Sequence, residues 1–179
     1  MAFDLVIRPN IGHFPIIVTS RRASDSQFDR IDRGIIQELR TDGRMTITEL
    51  AKRVGLSKTP CQLRLKKLID AGFIRGFRAI VDEKMLGEGH IAFAEVKLSD
   101  TREAALAEFH KAVSRVREVD ECHMIAGQFD YLLKVRTSDI VAYREVLGEK
   151  ISSLPHVAST SSYVAMEVIV DSGTKRPII

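Results

Sequence analysis

The sequence predicts an α+β protein in two parts, a helix-turn-helix unit followed by a ferredoxin-like βαββαβ unit. Three observations carry that prediction. Apolar residues recur at helical spacing three times before residue 72, and a short turn joins the second and third repeats. Beyond residue 89 the pattern runs strand, helix, strand, strand, helix, strand. Charge divides along the same line. Residues 29–80 carry 12 basic and 6 acidic side chains, whereas residues 81–179 carry 12 and 16. A basic first half and an acidic second half point to nucleic acid as a partner of the first half only.

The composition narrows the class. At 45% apolar and 28% charged residues over 179 positions, the chain can bury one core or two small ones. No apolar run reaches the roughly 18 residues that would span a bilayer, so no membrane partner is expected and the location is expected to be cytoplasmic. Cys61 and Cys122 stand alone, without the spacing of a metal site or a disulfide framework, so no metal and no cofactor is expected. His90, His110, His123 and His156 are scattered, and no nucleophile elbow or phosphate loop is present. This is not the constellation of an enzyme.

Residues 1–27 read as a flexible arm, broken by Pro9, Gly12 and Pro15 and lacking a signal-peptide pattern. Residues 28–81 read as the helix-turn-helix unit. Its first helix begins at Asp29 and buries Ile31, Ile35, Ile36 and Leu39, and Asp42-Gly43 ends it. The second follows Thr46, with Glu49 completing a capping-box spacing and Ile47, Leu50, Ala51 and Val54 on one face. Gly55 supplies the left-handed turn that stops it. Ser57 is a fresh N-cap, Pro60 fits the first turn of the third helix, and Gly72 ends that helix. Residues 73–81 alternate enough to be a strand, and residues 82–89 form a polar linker.

The third helix is where function enters. Cys61, Leu65 and Leu68 turn to the core. Thr59, Gln62, Leu63 and Lys66 turn outward, flanked by Lys58, Arg64 and Lys67, with Ser57 at the start and Arg75 and Arg78 beyond the end. Cations neutralise phosphates, an amide can pair with adenine, and an aliphatic group can touch a thymine methyl. As the second helix of a helix-turn-helix, this row is the candidate DNA-binding face, and double-stranded DNA the candidate partner.

Residues 90–171 read as the second domain. A strand over 90–98 leads to a helix capped by Thr101, with Leu106, Phe109, Val113 and Val116 in a stripe. Strands follow over 119–126 and 130–137, separated by a Gly127-Gln128-Phe129 turn. Ser138 caps a helix to about residue 154, with Val141, Leu147, Ile151 and Leu154 inward. A last strand covers 158–170, and residues 172–179 are a loose tail. Val164, Met166, Val168 and Val170 would leave apolar groups on the uncovered sheet face, which calls for a homodimer through this half.

The runs FDRIDRGIIQEL, ITELAKRVGLSKTPC, LIDAGFIRGFRAIVD, ECHMIAGQFDYLLKV, YREVLGEKISSLPHV and SSYVAMEVIV resemble the Lrp/AsnC family of transcription regulators over about residues 28–171. Within it they look most like the leucine-responsive branch that governs amino-acid and proline catabolism genes. The resemblance implies a winged N-terminal DNA-binding domain and a C-terminal ligand-sensing domain. It implies dimers that assemble further, often into octamers, on nucleoid DNA, and an effector that is a free amino acid such as leucine. By motif position the effector-binding residues would be Met124, Gly127, Gln128, Phe129, Asp130, Tyr131, Tyr163, Val164 and Ala165. Gly127 also reads as a plain turn glycine, and Tyr163 as dimer packing. Gln62 and Leu63 depart from the leucine and arginine usual in that branch, and Gln128 replaces an acidic residue. A DNA-wrapping architectural protein with little ligand response is the alternative function.

Overall fold

The computed structural model describes residues 28–170, so the expected N-terminal arm and C-terminal tail lie outside the described residues. The chain divides into two compact units between Arg78 and Ala79. The first holds α1 (Arg30–Thr41), α2 (Ile47–Arg53) and α3 (Lys58–Asp70). The second holds β1 (His90–Leu98), α4 (Glu103–Val113), β2 (Val119–Met124), β3 (Tyr131–Thr137), α5 (Ile140–Glu145) with a π-helical extension (Val146–Ile151), and β4 (Val157–Val164).

Local chemistry sets the helix ends of the first unit. Asp29 caps α1 in a full capping box with Asp32. Thr46 caps α2 through the Glu49 N–H, but Glu49 does not reach back and pairs with Arg53 instead. Gly55 (φ 71°) closes α2 in a Schellman motif, with the Leu56 N–H donating to the Ala51 carbonyl and the Gly55 N–H to Lys52. Ile35, Leu50, Ala51, Cys61 and Leu68 form the buried core, with Ile31, Ile36, Leu39, Ile47, Val54 and Leu65 packed around it. Phe28 stacks on Phe73 at 4.8 Å beside that core.

The expected strand over 73–81 is not there. An extended segment becomes a strand only by pairing its N–H and C=O groups, and no described segment of this chain pairs with it. Gly76 (φ 158°) breaks the run, and Phe77 and Ile80 are exposed.

In the second unit the sheet order is β2-β3-β1-β4, antiparallel throughout. Opposed residues share a face, so the register fixes the two sides. Ala92, Ala94, Val96, Leu133, Val135 and Tyr131 lie under Phe109, Val113, Tyr143, Val146 and Ile151 of the helical layer. The open side carries Phe93, Glu95, Lys97, Leu132, Lys134 and Arg136, and Tyr163 opposite Phe93.

Several expectations need correction here. The α4 N-cap is Arg102, not Thr101, because the Asp100 carboxylate accepts the Arg102 N–H and makes the turn. Val116 falls beyond the end of α4. Asp139, not Ser138, caps α5 by accepting the Val141 and Ala142 amides, each at 2.8 Å, and Val141 turns out to solvent. The inward positions are Tyr143, Val146 and Ile151, with Leu147 and Leu154 packed beside them; the π turn shifts the phase of the helix. The last strand ends at Val164, opposite Ala92, and beyond it the Ala165 N–H still donates to the Ile91 carbonyl. Val164 lies opposite Ala92, on the helix-covered side, so the strand residues Ile91, Phe93, Leu132 and Tyr163, and not Val164, supply apolar groups to the open face.

Candidate nucleic-acid interface and effector region

Helix α3 sits with Cys61 and Leu68 inward, which turns Lys58, Thr59, Gln62, Leu63, Lys66 and Lys67 outward. Leu63 is 64% exposed on this row. Ser57 occupies the N-cap with an extended backbone, yet its hydroxyl makes no cap bond, contrary to the expected cap role. Lys58, Arg75 and Arg78 make no ion pair among the described residues. Lys66 pairs with Asp70 at 2.6 Å on an exposed surface, a contact weak enough to exchange for a phosphate.

Arg64 differs from its neighbours. Its guanidinium lies 2.7 Å from Asp29 and 2.9 Å from the buried Asp32. Helical position groups it with the DNA-facing cations, and the structure places it against α1 instead. Sequence spacing hides this pair, because Asp29 and Asp32 read fully as a helix cap and Arg64 lies 32 residues from Asp32.

The effector candidates divide into two places. Met124, Gly127, Gln128, Phe129, Asp130 and Tyr131 gather at one end of β1, where Met124 opposes Tyr131 and Tyr131 opposes Val96. Met124, Gly127 and Gln128 are exposed, and Phe129 is half-buried. Asp130 pins this turn: its Oδ2 accepts the Leu98 N–H at 2.7 Å, its own N–H donates to Val96, and its carbonyl accepts the Ile125 N–H. The Lys97 ammonium stands 3.6 Å from its other oxygen. Tyr131 is buried in the core, and its hydroxyl meets His110 Nε2 at 2.6 Å. Burial pushes the Tyr131 phenol up, as it does that of Tyr143.

Tyr163, Val164 and Ala165 are elsewhere. They pair around Ile91 to Phe93, four residues along β1 from Val96, or about 13 Å at strand rise. Tyr163 and Val164 also point to opposite faces. One chain therefore does not bring the two groups together.

Among the described residues no group of His, Cys, Asp and Glu could hold a metal ion, and no helix is long and apolar enough to cross a membrane.

Comparison with known proteins gives a consistent result. A family model described as Lrp/AsnC ligand binding domain matches residues 91–174, and one described as winged helix-turn-helix DNA-binding matches residues 28–75. A proline dehydrogenase transcriptional activator of Rhizobium radiobacter is 63% identical over 81% of this chain and 93% of its own. The leucine-responsive regulatory protein of Escherichia coli K12 is 42% identical over 87% and 95%. Among solved structures, a transcriptional regulator of Neisseria meningitidis in complex with L-Met is 32% identical, with TM-score 0.73 over 80% of this chain and 92% of that one. An AsnC family regulator of Agrobacterium tumefaciens is 34% identical, with TM-score 0.74 over 80% and 93%. The relatives are regulators rather than enzymes, and the chain belongs to the Lrp/AsnC family of DNA-binding transcriptional regulators.

Proposed function

We propose that this regulator acts on amino-acid metabolism genes and that a free amino acid such as leucine sets its DNA binding or its assembly. The DNA-reading surface is the outward row of α3, Ser57, Lys58, Thr59, Gln62, Leu63, Lys66 and Lys67, with Arg75 and Arg78 as backbone-contacting cations. The single observation behind it is that this row is exposed and cationic while Cys61 and Leu68 on the opposite side of the same helix are buried. Such a face can neutralise phosphates and present Gln62 and Leu63 to base edges.

The effector surface is the turn at residues 124–131, where exposed backbone near Gly127 and the Asp130–Lys97 pair could receive the carboxylate and ammonium of an amino acid. Support comes from the relative crystallised with L-Met and from the relatives named leucine-responsive. The separation of residues 163–165 from that turn favours a site completed by another copy, in a homodimer or a higher oligomer. Such a protein would work on chromosomal DNA in the cytoplasm.

Calorimetric titration of the full chain with leucine, proline and methionine tests this. Saturable binding of one of them, weakened in Asp130→Asn, is the expected result. Heats indistinguishable from dilution for the whole panel would overturn the sensor reading and favour the architectural one.

A further inference from the structure

On α3 the outward cations and Arg64 serve different ends. All four carboxylate oxygens of Asp29 and Asp32 are engaged. Asp29 Oδ1 accepts the Ile31 and Asp32 amides, and Asp29 Oδ2 accepts Arg64 Nη1. Asp32 Oδ1 accepts the same Nη1, and Asp32 Oδ2 accepts the Asp29 N–H. The Asp32 side chain is only 3% exposed, so its charge is held in the fold by this one cation. The electrostatics agree: the Asp32 amide first, and then Arg64, hold the Asp29 carboxyl below its usual range, and Asp32 and Asp29 hold Arg64 up. The triad as a whole carries a net charge of −1, so Arg64 offers an approaching phosphate no net positive charge.

We infer that Arg64 is a positioning residue: it clamps the middle of α3 to the N-cap of α1 and so fixes which α3 side chains reach the base edges. A rotation of one residue about the helix axis is about 100°, enough to replace Gln62 by Leu63 at a given base. Burial of Cys61 and Leu68 rules out the whole step, but, being non-directional, it resists only softly the smaller rotations that re-aim Gln62 and Leu63. Two charge-assisted hydrogen bonds to carboxylates at the start of another helix define the rotation by direction. This inference rests on the reading of α3 as the DNA-facing helix.

The test compares two duplexes of equal length. One is the tightest fragment the full-length protein selects from a random-sequence pool, and the other is its scrambled version. Affinities are measured across salt concentrations for the parent protein and for Arg64→Gln, Arg64→Lys, Asp29→Asn and Lys58→Gln. Arg64→Gln should lower the selected-to-scrambled ratio about tenfold, the size of a single base-reading interaction, with the salt slope unchanged. Arg64→Lys, which keeps the charge on a shorter side chain without the planar guanidinium, should fall between. Asp29→Asn still caps α1, so it keeps the test open if Arg64→Gln does not fold. It should lower the ratio without raising affinity for the scrambled duplex.

A phosphate contact by Arg64 gives the opposite pattern: Arg64→Gln would cut the slope by about 0.9 per bound subunit and weaken both duplexes alike, and Asp29→Asn would strengthen both. Either of those results overturns the proposal, and so does an unchanged ratio in both variants. Lys58→Gln separates the two readings. If it leaves the slope unchanged, Lys58 meets no phosphate, and the reading of α3 as the DNA-facing helix loses that contact whatever Arg64 does.

Discussion

The two units use their charges in opposite ways. In the helical unit one cation, Arg64, is committed to the buried Asp32, while Lys58, Arg75 and Arg78 make no ion pair among the described residues. In the sheet unit the cations are largely matched. Arg136 meets Asp120, Lys134 meets Glu121, Lys150 meets Glu118 and Arg117 meets Glu88. The uncovered face also carries the apolar Phe93, Leu132 and Tyr163 between its charged groups. Unspent positive charge suits a polyanion, and a neutralised surface with an apolar centre suits another protein surface. The division of labour follows from which groups each unit leaves unsatisfied.

The largest effects should come from the cores, and they can show whether the units stand alone. All three tyrosines, Tyr131, Tyr143 and Tyr163, are in the sheet unit, and the chain has no tryptophan. Tyrosine fluorescence therefore reports that unit, while far-ultraviolet circular dichroism reports both. Phe109→Ala removes a fully buried ring and should cost the sheet unit about 3–5 kcal/mol. Leu50→Ala should cost the helical unit about 2–5 kcal/mol and leave the tyrosine transition where it is. If both substitutions moved that transition equally, the units would be one cooperative body.

A middle-sized effect separates the surfaces. Lys58→Gln with Lys66→Gln should weaken binding to every duplex and flatten its salt dependence, by about 0.9 in slope for each phosphate no longer neutralised. Arg136→Gln, in the sheet unit, should leave the slope alone. Equal slopes in the double variant and the parent would show that neither lysine meets a phosphate.

The smallest effect is a pH dependence. Hydrogen bonds from the Arg102 side chain, and then its amide, lower the Asp100 carboxyl from 3.8 to about 2. A depressed carboxylate contributes stability above its unfolded pKa and loses it as pH falls through the folded one. Between about pH 4 and pH 2 the parent should therefore lose a small increment of sheet-unit stability that Asp100→Asn does not lose. Parallel stability–pH curves over that window would show that the pair contributes nothing measurable.

The sequence made the helices legible because their signals are local. Asp29, Thr46 and Gly55 act on atoms within a turn of themselves, and α1 to α3 begin and end within a residue or so of the expected places. Strands are legible only where a partner exists. The β1 range is as expected, since β3 and β4 flank it, whereas residues 73–81 alternate equally well and find no pairing. The last strand reads as running to residue 170, but its pairing with β1 stops at Val164. The clamp between Arg64 and Asp32 has no local signature at all. The outward face of α3 follows from helical period alone. The separation of residues 163–165 from the 124–131 turn depends on sheet register, which alternation in the sequence does not fix.

A fluorescence-anisotropy titration of the full chain on the DNA upstream of its own coding sequence tests the sensor-regulator reading most directly. It would be run at two salt concentrations, with and without leucine, proline or methionine. The expected result is a salt-sensitive complex, tighter than with scrambled DNA, whose midpoint shifts with one of the amino acids. Binding that follows salt but ignores both sequence and every amino acid would contradict that reading, and would mark the chain as a DNA-wrapping architectural protein.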